Sequence, residues 1–439
     1  MSANLECRTG NTLGGPTCPR EVSYPNGISL QDELSEEEAV LMALWNNAAF
    51  LELLADLGIA QGDLVQAGLL PNPEVAYFFP VSDKPFKYAF DFPIEALWLR
   101  PIRIAAAERE YGRACERLTQ TGLDLIRDTR QAYADAILAE RRAQIAADIV
   151  SLRRRIADVA NKRLEGGDIS PQESSTAVID ASRAEQDNVR ARYDVDLAQA
   201  KLRHLMGIPD ERAPLRLVQP MSPMPTTVDI DVLSNEATSN RPDLLAADQA
   251  SAAATERLRL SKLVWFRVLG ILDATSGRDT GHEFGPAVRT TLPIFNWNQG
   301  NIARAEAELE KAERQRQTVR NQILLDVQQS HLRYAQSRAE LDVLRQRVRN
   351  DVEAAISRTE TAYKEGETPY VVVLQTTQQL IDSRVREAQL ESDLRRAWAD
   401  LERSVGRHLT DIADLSLRVK PLPTIPQEAP QDAPAEYQP

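Results

Sequence analysis

The chain repeats a long segment of its own sequence at an offset of about 200 residues. Phe-Pro-Ile at 92–94 and the helix-like run from Pro101 recur as Leu-Pro-Ile at 292–294 and a similar run from Asn301. Gly-containing turns at Gly166 and Gly366 follow at the same offset, within one residue. A period this long is not a solenoid unit, so the sequence predicts a duplicated half-protein.

Composition and charge exclude several classes of protein. The net charge of −13 argues against nucleic acid as a partner, because phosphates would repel such a surface. No run of about 18 apolar residues occurs, so no transmembrane helix is expected. Residues 1–10 are polar, and no signal peptide is expected in this sequence. We therefore expect a cytoplasmic protein or a mature or truncated form.

The three cysteines leave alternatives open. Cys7 and Cys18 lie in a Gly/Pro-rich leader and could form a disulfide or remain two free thiols. Cys7 could also carry a lipid, although Leu5 and Glu6 before it do not resemble a lipidation motif. Cys115 lies in a helical pattern and is expected to be a packing residue.

Each half is predicted to contain a helix, a β-hairpin and a long helical hairpin. The boundaries are a leader at 1–30, a first repeat at 31–207, a linker at 208–229, a second repeat at 230–410 and a Pro-rich disordered tail at 411–439. The β-hairpins are expected at about 74–94 and 264–295, and the helical hairpins at about 101–206 and 301–407.

Local signals mark the helices. Ser35 and Glu38 form a capping box that starts a helix predicted to run to about Ala67. Pro242 precedes a helix predicted to reach about Lys262. Residues 301–365 contain neither Gly nor Pro, and a continuous helix there would be about 95 Å long. No compact globular domain needs that length, and Ala-rich apolar seams favour antiparallel packing of the coiled-coil type.

The hairpins distinguish this chain from a plain coiled coil. In the strand predicted at 86–92, alternation places Lys87 and Asp91 on one face and a row of aromatic residues on the other: Phe86, Tyr88, Phe90 and Phe92. The second hairpin is predicted from strands at about 265–275 and 287–294. Each hairpin alone fits a soluble hairpin packed on helices. Two of them at equivalent places favour aromatic faces that contact lipid.

Four strands in one chain cannot close a barrel, and open edges are not tolerated in lipid. The membrane hypothesis therefore requires an oligomer. Two chains would give eight strands with a filled interior, and three would give twelve strands with a lumen.

Three segments resemble one family, the TolC-like outer membrane efflux proteins. They are residues 291–305, the Arg-Pro-Asp-Leu at 241–244 and the Leu-Pro-Asn-Pro-Glu at 70–74. The resemblance spans about residues 35–410 and implies a mainly α fold with a small β part. It implies a homotrimer with a twelve-stranded outer-membrane β-barrel continued by a periplasmic α-helical barrel. It further implies docking to an inner-membrane pump through a periplasmic adaptor. Residues 72–74 resemble the heavy-metal (cobalt–zinc–cadmium) efflux branch.

The resemblance also implies where the working residues lie. The turns would form periplasmic tips that contact the adaptor through Gly166, Gly167, Gly366 and Glu367. In the family, carboxylates just after each tip can ring the closed end of the pore. The candidates for pore and gate residues here are Glu173, Asp168, Arg358 and Tyr363.

The two halves differ at these tips. Glu173 stands six residues after Gly167, whereas Val372 and Gln375 occupy the corresponding region after Gly366. The acidic ring of the second half is therefore expected to be absent. The alternative is that these residues belong to ordinary solvated helix ends.

Enzymatic chemistry is not expected. The four histidines are scattered without ligand spacing, and no phosphate-binding Gly-rich loop occurs, so no metal site or cofactor is predicted and energy must come from a partner. The sequence predicts a passive exit duct of a tripartite efflux or type I secretion-like system, gated at the helix tips. The alternative is a soluble or periplasmic coiled-coil scaffold or adaptor.

Overall fold

A computed structural model describes residue 8 and residues 21–30, 32–79, 86–219, 229–277 and 281–409. Cys7, Cys18, the first hairpin turn, residues 220–228 of the linker and the Pro-rich tail lie outside these residues. Cys115 is half-buried, and its thiol is free.

The described chain is mostly helical. The helices are α1 (Glu36–Asn46), α2 (Ala48–Gly68), α3 (Glu95–Glu165), α4 (Pro171–Leu205), α5 (Ile230–Asn240), α6 (Pro242–Leu263), α7 (Gln299–Val343), α8 (Arg349–Lys364) and α9 (Tyr370–Val405). A single turn of π-helix, Leu344–Val348, joins α7 to α8 and is called the π segment below. The two halves have the same order of elements, as the duplication predicts. In each half, two short helices precede a β-hairpin and a long helical hairpin follows it.

The strands form two sheets. Strands β1 (Glu33–Leu34) and β4 (Arg216–Leu217) pair in parallel, far apart in sequence. Four longer strands form an antiparallel sheet in the order β2 (Glu74–Phe78), β3 (Phe86–Pro93), β5 (Val268–Gly277) and β6 (Gly281–Thr290). This sheet unites the hairpins of both halves through the β3–β5 pairing, and β2 and β6 are its edges.

The prediction of one helix from Ser35 to Ala67 was wrong. The chain bends by 48° between α1 and α2. Asn47 stands at the break, where its side-chain oxygen accepts a hydrogen bond from the Phe50 N–H at 3.1 Å and its amide donates to the Leu205 carbonyl at 3.0 Å. The second of these bonds is tertiary, so helical periodicity could not reveal the break.

Helix α3 begins at Glu95 rather than near residue 101, so the predicted start was six residues late. Pro101 lies inside the helix instead of opening it. The Ile94 N–H donates to the Val268 carbonyl at 2.9 Å, and the Glu95 carboxylate accepts the Val268 N–H at 3.2 Å. The end of the sheet therefore fixes the first turn of this helix.

Two further expectations need correction. The helix predicted to be continuous over 301–365 is interrupted by the π segment. Strand β6 spans Gly281–Thr290 rather than 287–294, because pairing with β5 starts at Gly277 opposite Gly281 and runs to Val268 opposite Thr290. Leu292 and Ile294 lie beyond this strand and are exposed.

The helices pack in two layers on either side of a shared middle region. Toward the sheet, neighbouring helices follow the order α2, α3, α6, α7. Toward the turns at Gly166 and Gly366, the order is α4, α3, α9 and then α7 with α8. Helices α2 and α4 are therefore on one edge of the molecule, and α7 and α8 are on the other.

Buried polar contacts join elements that are distant in the sequence. Arg241, only 2 % exposed, pairs with Asp243 at 2.8 Å and Asp326 at 3.1 Å, and donates to the Ser404 carbonyl at 3.2 Å. The Tyr133 hydroxyl donates toward two carbonyls, those of Leu34 and Val218. Such satisfied groups specify how the elements dock, since a buried charge without partners would be costly.

None of the helices within the described residues is, on its own, long and apolar enough to cross a membrane. Only the bent pair α1 and α2 reaches that length and hydropathy when its two helices are taken together.

Candidate functional site

Both helical hairpins end in turns of the same conformation. Gly167 has φ of 80° and Gly366 has φ of 81°, a region that glycine adopts without strain. The Asp168 N–H donates to the Arg163 carbonyl, and the Glu367 N–H donates to the Ala362 carbonyl, each at 2.9 Å. The two tips are thus matched helix ends of the kind that a left-handed glycine terminates.

The helices that leave these turns start differently. In α4, the Ser170 hydroxyl accepts the Glu173 N–H at 3.3 Å, next to Pro171 in the first turn. Helix α9 follows Pro369, which supplies no side-chain cap. The Glu173 carboxylate instead accepts the Tyr370 N–H at 3.3 Å. Glu173 therefore stabilises the first turn of a helix in the other half, where a negative charge is favourable.

Tyr370 makes a second contact between the halves. Its hydroxyl donates to the Asp180 carboxylate at 2.7 Å. Burial raises the pKa of Tyr370 well above its usual value, and the hydrogen bond to Asp180 raises the pKa further. The phenol therefore stays neutral and keeps donating at ordinary pH.

A third contact involves Tyr363 at the end of α8. The guanidinium carbon of Arg163 lies 4.9 Å from the centre of the Tyr363 ring, and Arg163 donates to the Tyr363 carbonyl at 3.4 Å. The Tyr363 and Tyr370 rings are 6.2 Å apart. Burial, followed by the Glu173 charge, raises the pKa of Tyr363. We call Arg163, Glu173, Asp180, Tyr363 and Tyr370 the tip clasp.

An apolar core lies directly behind the clasp. It draws on α3, α4, α8 and α9, and its buried members are Leu152, Ile156, Ala157, Ala160, Ala177, Ala181, Ile356, Tyr363, Tyr370, Val373 and Leu380. The clasp therefore seals the end of a packed four-helix layer.

The structure brings together only some of the predicted tip residues. Glu173 and Tyr363 are in the clasp, whereas Asp168 and Arg358 are exposed and remain gate candidates by prediction only. The predicted adaptor contacts at 166, 167, 366 and 367 are all exposed at the ends of the hairpins.

Three members of the clasp were missed in the sequence. Tyr370 directly follows Pro369, a signal for the first turn of a helix. Asp180 lies seven residues after Glu173, which puts both carboxylates on one face of α4. Arg163 carries no local signal of its role.

The four-stranded sheet has two chemically different faces. Pairing register puts Phe90 opposite Val75 and Leu272, and Tyr88 opposite Tyr77 and Ala274. One face therefore carries all the aromatic residues predicted to meet lipid: Phe86, Tyr88, Phe90 and Phe92. Tyr88 lies 6.0 Å from Phe86 and 6.1 Å from Phe90, ring centre to ring centre.

The opposite face carries ion pairs beside the apolar Phe78, Leu269 and Ile271. Lys87 pairs with Asp273 at 2.8 Å, and Arg289 pairs with Asp91 at 3.5 Å. Each pair joins neighbouring or next-neighbouring strands across the face. An exposed apolar face and an ion-paired face on one thin sheet are the reverse of a soluble sheet packed on helices.

A groove of about 780 Å³ lies beside the clasp, between the two helical hairpins. Its floor is apolar and includes Ile145, Ile149 and Leu374, and its rim is charged, with Arg183 and Asp382 among the lining residues. Within the described part of the chain, no group of three His, Cys, Asp or Glu side chains is placed to hold a metal ion.

Comparisons with known proteins agree with this geometry. The sequence pattern of the family described as outer membrane efflux protein matches residues 92–208 and 233–407. The chain is 25% identical over 400 residues to the cobalt-zinc-cadmium resistance protein CzcC of Cupriavidus metallidurans, covering 89% of this chain and 93% of that protein.

Solved structures show the same fold. The outer-membrane channel OprN matches with a TM-score of 0.74 at 17% identity, covering 85% of this chain and 90% of that one. CusC, whose structures concern folding and transmembrane channel formation, matches with a TM-score of 0.72 at 15% identity, covering 90% and 98%.

Proposed function

The chain belongs to the outer membrane efflux protein family, and from that premise we propose that it is a passive exit duct gated at its periplasmic tips. The observation that carries the proposal is the four-stranded sheet, with one exposed apolar face, one ion-paired face and two open edges. Lipid would cover the apolar face, and the ion-paired face would line the lumen. A soluble scaffold or adaptor would have no use for such a sheet.

The duct is a ring of three copies in this proposal. Strand β2 and helices α2 and α4 lie on one edge of the molecule, and β6, α7 and α8 lie on the other. Joining unlike edges head to tail is a heterologous contact that closes into a ring. Strand β6 would pair with β2 of the next copy, and three copies would give twelve antiparallel strands around a lumen.

Exposed apolar stripes support this arrangement. On α4 the stripe consists of Val178, Ile179, Val189, Tyr193 and Leu197, and on α7 it consists of Leu325, Leu332 and Val343. Apart from Ile179, which adjoins Val178, successive spacings of four, seven and eleven residues keep each stripe on one helix face. Because these helices are the two edges of the layer, the stripes meet between copies.

The tip clasp is the gate in this proposal. It holds the start of α9 against α4 and the end of α8 against α3 through Tyr370 and Tyr363. Release of these contacts would let α8 and α9 move as a pair away from α3 and α4. No bond is made or broken, so the duct performs no chemistry.

A periplasmic adaptor would dock at the exposed tips and in the groove between the hairpins, and would couple the duct to an inner-membrane pump. The apolar floor and charged rim of that groove suit an amphipathic helix. The relative CzcC is named for cobalt, zinc and cadmium resistance. We propose heavy-metal ions as the cargo on this ground.

Two measurements test the duct. In detergent the protein should have the mass of three chains, and in a planar bilayer it should open conducting pores. Phe90→Arg should prevent insertion, because an arginine on the lipid face costs about 2–4 kcal/mol per copy. Asp91→Asn, on the opposite face of the same strand, should insert normally. A water-soluble monomer that never conducts would refute the proposal.

A further inference from the structure

The π segment is the break, within the described residues, in what would otherwise be one long helix made of α7 and α8. The equivalent helix of the first half, α3, is continuous over Glu95–Glu165 in the described chain. In the second half, Leu344–Val348 makes a single π turn between two α-helices. A π turn holds more residues than an α turn and weakens the regular hydrogen bonding, so it is a place where a helix bends.

At this level a small apolar cluster of Leu138, Ile145 and Ala388 joins α3 to α9, and it includes no described residue of α7 or α8. Above the π segment, α7 contributes Ile323, Val327 and Tyr334 to a core shared with α9. Below it, α8 contributes Ile356 and Tyr363 to the core behind the tips. These two apolar cores are therefore separated along the helix by the π segment and its flanks.

Ion pairs link the π segment and the end of α7 to α9. Arg345, inside the π segment, pairs with Glu387 at 3.2 Å and with Glu391, both on α9. One turn earlier, Glu340 pairs with Arg386 of α9. These pairs bridge α7, the π segment and α9, and they are partly exposed to solvent. Such contacts hold less firmly than a packed core, since solvent screens exposed ion pairs and leaves them little net stability.

A polar cavity adjoins these pairs and shares Glu387 and Glu391 with them. It measures about 290 Å³, lies between α3 and α9, and is lined by Arg141, Asp148, Arg384, Glu387 and Glu391 among others. Arg384 and Asp148 are 3.8 Å apart across it. At the height of the π segment, helix α9 therefore has ion pairs on the side of the π segment and a small apolar cluster beside a polar cavity on the side of α3.

From these four observations we infer that the π segment is a hinge, latched by Arg345 and Arg386, about which α8 and the adjoining turns of α9 swing when the tips part. The inference rests on the proposed role of the tip clasp as the gate. The hinge supplies what the clasp alone lacks, a defined point above which α7 keeps its packing while α8 moves. The latch residues act by position and touch no cargo.

Hydrogen exchange of the detergent-purified trimer tests the hinge without requiring transport. Arg345→Glu replaces attraction by repulsion toward Glu387 and Glu391. We expect amides of residues 349–364 to exchange about fivefold faster, with residues 299–343 unchanged. Combining Arg345→Glu with Glu387→Arg and Glu391→Arg should restore the wild-type rate.

The matched control is Arg314→Glu, because Arg314 pairs with Glu310 within α7 itself. It should leave exchange of 349–364 unchanged. A second variant, deletion of Gln346, removes the extra residue of the π turn while keeping the flanking helix faces in phase, and should slow exchange around residues 340–350.

Exchange that rises evenly along α7 and α8, or no more than in Arg314→Glu, would overturn the hinge. Bilayer conductance is recorded separately. A wild-type protein that never conducts but shows the exchange boundary at residue 344 would refute the duct and leave the hinge standing. A protein that conducts but lacks this exchange boundary would refute the hinge and leave the duct standing.

Discussion

Single side chains at the tips carry more of the contact between halves than their positions in the sequence reveal. Glu173 serves as a cap for α9 rather than as a free carboxylate. Tyr370 donates hydrogen bonds to α4 from both its backbone amide and its hydroxyl. A prediction based on spacing from the glycine turns found Glu173, but not its partner. The role of Glu173 depends on a residue 197 positions later.

Tyr370 gives a prediction about pH. Its folded-state pKa is raised above the value of about 10 expected for an unfolded chain. The stability that the neutral Tyr370 hydroxyl contributes is therefore fully present below pH 10. It is lost only as the pH rises through the pKa that Tyr370 has in the folded protein. Tyr370→Phe should lower stability by about 1–2 kcal/mol equally at pH 7 and pH 9, as measured by thermal unfolding.

The control for this variant is Tyr24→Phe, at a tyrosine that is 48% exposed and lies outside the helices. It should change stability by less than about 0.5 kcal/mol in the same assay. Ionisation of Tyr370 near pH 10, seen as a difference in absorbance between wild type and Tyr370→Phe, would contradict the expected pKa.

At the scale of elements, both halves end their last helix against the junction between their own two short helices. Gly207 and Gly406 have φ of 73° and 80°. A Cβ at Gly207 would lie 2.2 Å from the Asn46 carbonyl oxygen, where α1 ends. Gly207 is therefore required both for its backbone conformation and for the close approach of α1.

Gly207→Ala should destabilise the protein by about 3 kcal/mol or more, since backbone strain and a backbone clash add. Gly167→Ala separates the two causes. Gly167 has a similar φ of 80°, but a Cβ there would meet nothing within 4 Å. That variant should cost only about 1 kcal/mol in thermal unfolding. Equal losses of stability in the two variants would show that the structure shifts to relieve the clash between a Cβ at position 207 and Asn46.

The elements also show how far the sequence could predict this fold. Capping at Ser35, glycine turns and the aromatic alternation of β3 are local signals, and the helices, tips and apolar sheet face follow from them. The break at Asn47 depends on the Leu205 carbonyl, and strand β6 depends on pairing with β5 through a stretch that contains Gly285 and Pro286. These features are set by tertiary contacts, which one-dimensional periodicity does not contain.

At the scale of the whole molecule, the proposed ring depends on unlike edges meeting. Leu197 is 68% exposed in the single chain and would be covered by the next copy. Leu197→Glu should therefore weaken each contact between copies by about 2 kcal/mol. Mass measurement in detergent should then show single chains where the wild type is trimeric.

Ala147→Glu is the control for the ring, because it adds the same charge at an exposed position of α3, which lies inside the layer and not on an edge. It should leave the trimer intact. A trimer that survives Leu197→Glu, or one that fails in both variants, would refute the assignment of α4 as an edge.

Because Glu173 of the first half caps α9 of the second half, the two halves are not equally independent when they are exchanged by recombination. The first half holds every group needed to start α4, with Ser170 next to its own helix. The second half depends on a carboxylate from the first. A chimaera that keeps residues 230–410 but takes its first half from a relative would inherit a complete first tip. Its second tip would be complete only if the donor carried an acid in the place of Glu173. Exchange of modules between such ducts is therefore directional, although the gene is a tandem repeat.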